Sequence, residues 1–236
     1  MQPVTDYLLS SRARHPGFAR LNSHHNNAMV SRWSAEAGDT MESAVSPPKS
    51  AISFLKELGA DTIAHHANRN LLEHLIATYE LLAGWHHEQA VALAGLMHSV
   101  YGTAAFETAC LAPSERGRVR AIVGERAERL AFLFSAMERD QFLDTLGSNL
   151  IVSRFGDGTT AVSDADTRIM CEILFANELD LAIAKKGADR PDKIEKKLGP
   201  VFKKTAEYLS TAARNAYRDA IGRKPAGENK SAQDRV

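Results

Sequence analysis

The chain has 236 residues, 44% hydrophobic and 25% charged, and its 29 basic and 29 acidic side chains cancel to zero formal charge. That is the composition of a globular protein able to bury a proper core. The charge balance argues against a general binder of nucleic acid or anionic membrane, which needs a basic excess or patch. Cys110 and Cys171 are the two cysteines, with no CxxC, which argues against a disulfide framework or thiolate zinc site and fits a reducing compartment. No window reaches about 18 consecutive apolar residues, and "MQPVTDYLLSSRARHPG" lacks the apolar stretch of a secretory signal. A cytoplasmic protein is expected.

In chain order, residues 1–48 read as an N-terminal extension, partly flexible, with a short helix in "VTDYLLSSRAR" and a linker closed by Pro47 and Pro48. "SAISFLKELGA" predicts a short amphipathic helix with Ser50 as N-cap and Gly59 near its end. Asn70 is the expected N-cap of a helix over 71–84, and "HEQAVALAGLMHS" predicts another from about 88 to 98. Two further helices follow in "APSERGRVRAIVG" and "ERAERLAFLFSAMERD", parted at Gly124. Residues 149–163 are the one strand-like section, a hairpin turning at Gly156-Asp157-Gly158. Ser163 and Asp166 have capping-box spacing and start a long helix, "DADTRIMCEILFANELDLAIAKK". Gly199-Pro200 is expected to interrupt the basic run and open a last helix, "VFKKTAEYLSTAARNAYRDAI". The lysines at 185–204 read as a solvated face. Residues 223–236 read as a disordered tail. The expectation is an all-α helical domain over 49–222 with one minor β-hairpin.

Neighbours on a helix face lie three, four or seven residues apart. His74 therefore falls among Leu71, Thr78, Leu81 and Trp85, and His98 closes the run containing Val91 and Ala94. In the long helix Ile169, Ile173, Asn177 and Leu181 recur every fourth residue, which places Asn177 on an apolar stripe flanked by Glu178 and Asp180. Buried polar groups need partners. His74, His98 and Asn177 are expected to converge, either on a divalent metal or in a network with hydroxyls and water. His65, His86 and His87 are expected to face solvent or loops.

"NRNLLEHLIATYELL…VALAGLMHSVYGT", followed by "GERAERLAF" and "ANELD", resembles the HD-domain superfamily of helical metal-dependent phosphohydrolases over about residues 50–185. The nearest flavour is the alarmone, or (p)ppGpp, hydrolase branch. The chain is also similar to a group of HD-like domains with H-S-x-Y-G-T as their signature. The resemblance implies an HD-like bundle in which His74 and His98 take two metal-ligand places. Ser99 stands at the place of the paired aspartate, Asn177 at that of the distal aspartate, and Gly102 and Thr103 at that of a catalytic acidic pair. A site short of carboxylates holds hard ions poorly, so orthodox alarmone hydrolysis is not expected. His66 could swing inward, and Glu178 or Asp180 could restore a carboxylate.

The expected metal ligands are thus His66, His74, His98 and Glu178, for Fe, Zn, Co or Mn. His98, Ser99, Tyr101 and Thr103 are the expected catalytic residues. Arg69, Thr78 and Asn177 are the expected substrate contacts, with Arg69 meeting an anionic group. The function expected is hydrolase or oxygenase chemistry on a small polar or anionic metabolite. The alternative is a ligand sensor or scaffold with a degenerate site. Partners would be a small-molecule ligand, with a homodimer left open, and neither nucleic acid nor membrane.

Overall fold

A computed structural model describes residues 46–156, 158–186 and 190–222. The expectations for residues 1–45 of the N-terminal extension, for Asp157 and for the tail lie outside the described residues. The protein is all-α with one small hairpin.

Helix α1 (Lys49–Glu57) buries Ala51, Phe54 and Leu55 on one face. Pro48 rather than Ser50 occupies its cap position, and the chain leaves through Gly59 at φ +78°. Helix α2 (Leu71–Gly84) starts on a full capping box: Asn70 Oδ1 accepts from Glu73 N at 2.9 Å, and Glu73 Oε2 accepts from Asn70 N at 2.8 Å. Helix α3 (Gln89–Met97) packs closely on α2 because Gly95 offers no side chain; a Cβ there would clash with Leu82 Cδ1. That close approach brings His74 and His98 within reach of each other.

Helices α4 (Arg116–Val123) and α5 (Glu125–Ala136) part at Gly124, whose φ of +83° a glycine adopts without strain. Helix α6 (Arg139–Asp144), absent from the sequence reading, is anchored where Glu138 N donates to Val152 O on the hairpin. Strands β1 (Leu150–Ser153) and β2 (Gly158–Ala161) pair antiparallel, Leu150 opposite Ala161 and Ser153 opposite Gly158. Helix α7 (Asp164–Lys186) begins where Ser163 Oγ accepts from Asp166 N, as its spacing predicts. It is the central element and packs on α2, α3 and α5.

Helix α8 (Pro191–Thr205) corrects one expectation: Pro200 lies inside it rather than starting a new helix. Lys193, Lys196, Lys203 and Lys204 are exposed on its outer face, as the reading of a solvated basic run expects. Ile194, Leu198, Val201 and Thr205 form a buried stripe at helical spacing, and that packing against α7 carries the helix across the one backbone bond proline removes. The true break is at Ser210, whose Oγ caps α9 (Thr211–Ala220) by accepting from Ala213 N at 3.1 Å. Phe202 stacks on Tyr217, centroids 4.0 Å apart, and closes this end of the core over Phe175. Among the described residues, no helix is long and apolar enough to cross a membrane.

Candidate functional site

Three helices each contribute a polar side chain to one point in the core. His74 on α2 and His98 just past α3 are 1% and 0% exposed, and their Nε2 atoms stand 3.2 Å apart. Asn177 on α7 places Oδ1 3.0 Å from His74 Nε2. The convergence expected of these three residues is present.

Proton bookkeeping defines what the cluster offers. His98 Nδ1 lies 2.7 Å from Gly95 O; a carbonyl only accepts, so Nδ1 carries the proton and Nε2 presents a lone pair. His74 Nδ1 lies 2.6 Å from Asp180 Oδ2, so it too donates. Burial pushes the Asp180 carboxyl up, but the bond from His74 and the adjacent Arg69 outweigh it and hold the group below the usual carboxylate range. Arg69 clamps Asp180 through Nη1 at 2.9 Å and the turn through Nη2 to Glu73 O. With both Nδ1 protons committed, His98 Nε2 and Asn177 Oδ1 face His74 Nε2, which joins them as an acceptor when the ring is neutral and donates to them when the ring carries a second proton.

Two ligands about 2.0–2.1 Å from one ion lie roughly 3.3 Å apart in a tetrahedral array and roughly 2.9 Å apart in an octahedral one. The observed separations of 3.2 and 3.0 Å fall in that interval. Two neutral imidazoles and an amide oxygen suit Zn, Fe or Co better than Mg, and Asp180 behind His74 orients the ring as carboxylates do behind metal-bound histidines. The donor set therefore fits a borderline divalent ion. Among the described residues there is no group of three or more His, Cys, Asp or Glu side chains arranged to hold a metal; the third donor is an amide.

Burial first, then the neighbouring His74, lowers the His98 pKa from 6.5 to about 3. His65 is lowered to about 3 in the same order of causes, with His66 adding to it. Unfolded histidine takes a proton below its ordinary value near 6.5 while the folded ring refuses it. Stability of the metal-free protein is therefore full above that pH and falls as pH drops toward 3. The slope is about 1.4 kcal/mol per pH unit for the fully buried His98. Urea midpoints measured at pH 7, 6 and 5 should fall progressively; a flat profile would contradict a neutral buried His98.

A cavity of about 50 Å³ opens beside the cluster, lined by His65, His66, His74, Ser99, Asn177 and the Thr103–Phe106 turn among others. Here several expected roles change. His65, not His66, is the inward histidine: its ring stacks on His74 with centroids 4.6 Å apart, and both its nitrogens are buried without a hydrogen-bond partner. His66 is exposed at the rim, its pKa lowered by burial and by Lys185 and Lys197. Glu178 does not face the two imidazoles but pairs with Arg139 at 2.9 Å, so Asp180 is the carboxylate of the cluster. The anion Arg69 meets is Asp180 itself. Thr78 bonds back to His74 O at 3.0 Å, a helical contact that takes its hydroxyl out of the cleft.

Tyr101 is 1% exposed and donates to Glu128 Oε1 at 3.2 Å, while Arg154 holds its carbonyl. It braces the turn after His98 and does not line the cleft. Thr103 does line it, but its hydroxyl accepts from Phe106 N at 3.0 Å and caps the turn. Ser99 stays at the cavity wall, 3% exposed. His87 is half-buried, its Nε2 3.0 Å from Glu172 Oε2, rather than facing solvent.

Fold and site together define an all-α protein with two buried imidazoles meeting a half-buried asparagine, backed by an Asp–Arg pair. A family model described as a domain of unknown function (DUF6817) matches residues 54–139. The match holds His74, His98 and the turn to Phe106, and stops short of Asn177 and Asp180. No curated protein matches the chain, and no solved structure does.

Proposed function

We propose that the protein is a divergent HD-like, metal-dependent enzyme of the cytoplasm that acts on a small polar or anionic metabolite. The observation that carries this reading is the convergence of His74 Nε2, His98 Nε2 and Asn177 Oδ1 with both Nδ1 protons already committed. Three acceptors facing one another repel, and a cation among them relieves that repulsion while His74 stays neutral. His74, His98 and Asn177 would hold the ion; Asp180 and Arg69 fix the His74 ring. A borderline divalent ion there supplies Lewis acidity or oxygen activation, which is the hydrolase or oxygenase choice. Ser99 and His65 lie at the wall where a ligand enters, and Phe134, edge-on to His98 at 5.2 Å, keeps that side apolar.

A second reading is a non-catalytic sensor or scaffold with a decayed site, and the amide favours it. Turning Asn177 by half a revolution about its last bond would direct Nδ2 at the two imidazoles and satisfy their lone pairs without an ion. Cobalt(II) titration separates the two. The enzyme reading expects visible ligand-field bands that saturate near one equivalent, vanish in His98→Ala, and accompany turnover of a phosphoester or uptake of oxygen. Absent bands support the sensor or scaffold; bands without turnover leave a metal-binding sensor.

A further inference from the structure

The mouth of the cleft carries charge that the His74–His98 cluster does not use. Arg139, the first residue of α6, lines the cavity. Its Nη1 lies 2.9 Å from Glu178 Oε1, while its Nε is buried with no hydrogen-bond partner. Lys197 on α8 forms a longer ion pair with the other carboxylate oxygen of Glu178, at 3.8 Å. One carboxylate, its side chain 6% exposed, thus sits between two cations, and the charges of Lys185 and Lys197 reach His66 on the same rim.

A guanidinium binds carboxylate or phosphate through two parallel N–H donors on one edge. Glu178 engages Nη1, which leaves the edge that includes Nε. We infer that Arg139 forms an anion subsite at the cleft mouth, which seats a carboxylate or phosphate group of the ligand. Glu178 is the internal anion with which that group competes. The inference rests on the cleft being the ligand site, as proposed above, and not on the metal. A cavity of about 50 Å³, against roughly 300–1,000 Å³ for sites of drug-sized ligands, selects a compact anion rather than a nucleotide.

The test uses the full chain stripped of metal by chelation, so that its outcome is independent of metal binding. Calorimetric titrations with inorganic phosphate and, separately, with acetate at constant ionic strength should show saturable binding of one of them, and which one names the group. Arg139→Gln should weaken it by about tenfold or more, with Arg139→Lys between, because an ammonium replaces the fork with a point charge. Glu178→Gln should tighten it several-fold by removing the competitor, a change that a merely structural ion pair would not produce. Absence of saturable binding in wild type, or equal affinity in a folded Arg139→Gln, overturns the inference. If Arg139→Gln does not fold, Glu178→Gln decides alone, and unchanged or weaker affinity there overturns it.

Discussion

Asp180→Ala is expected to destabilise the protein by roughly 3–5 kcal/mol, because it removes one partner of a buried pair and leaves the other charge behind. Asp180 is 3% exposed and takes both His74 Nδ1 and Arg69 Nη1. Its loss strands a guanidinium that is 13% exposed and frees the His74 ring to turn. Metal affinity should fall about 10–100-fold, the range seen when the group behind a metal-bound histidine is removed. Asp180→Asn keeps an acceptor for His74 and should lose less of both. Urea denaturation and a competitive chelator assay read the two effects separately. Wild-type stability in Asp180→Ala would mean that the carboxylate does not anchor the cluster.

Glu128→Ala is the second large effect, and it is one of stability alone. Glu128 is fully buried, receives Nε and Nη2 of Arg116 at 2.6 and 2.9 Å, Arg120 at 3.4 Å, and the Tyr101 hydroxyl at 3.2 Å. Burial and the Glu128 carboxylate push the Tyr101 hydroxyl well above its ordinary pKa, so it remains a donor across the working range. Removing the carboxylate orphans the hydroxyl and opens a void beneath Arg116, which lies 3.8 Å over the Phe132 ring. Arg116 and Arg120 are 30% and 42% exposed and regain water, which places the loss near the lower end, roughly 3 kcal/mol. Glu57, an acid of an exposed pair with Arg118, serves as the control; Glu57→Ala should leave the urea midpoint where it is. Equal midpoints for the two variants would contradict the account of Glu128.

The helical fold was legible where one signal dominated: Asn70 with Glu73, Gly124 between two amphipathic runs, Ser163 before Asp166. It was misread at Pro200, where a local breaker lost to a buried stripe that begins at Ile194. A rule about one backbone bond could not weigh the packing of four side chains on α7. The short α6 carries no periodic signal at six residues.

The site was legible in its polar core, because a histidine or asparagine on an apolar stripe must find a partner. Its carboxylate was harder. Reading α7 only at intervals of four tied Asn177 to Leu181; the interval of three, equally a neighbour on a helix, would have tied it to Asp180. His65 and His66 differ by one residue in a loop, and only the backbone bonds from His65 N to Arg69 O and from Arg69 N to His66 O decide which ring turns in. Tyr101 and Thr103 lay close to His98 in sequence, but the turn at Gly102, φ +70°, sends Tyr101 to Glu128 instead of the cleft.

The central claim is that the three converging acceptors hold a divalent ion. Elemental analysis of untagged protein, as isolated and after reconstitution with Fe, Zn, Co or Mn, tests it most directly beside His74→Ala and His98→Ala. The account predicts about one ion per chain in wild type and almost none in either variant, with circular dichroism showing both still helical. Wild-type protein that takes up no metal after reconstitution, or variants that retain it, would contradict the account.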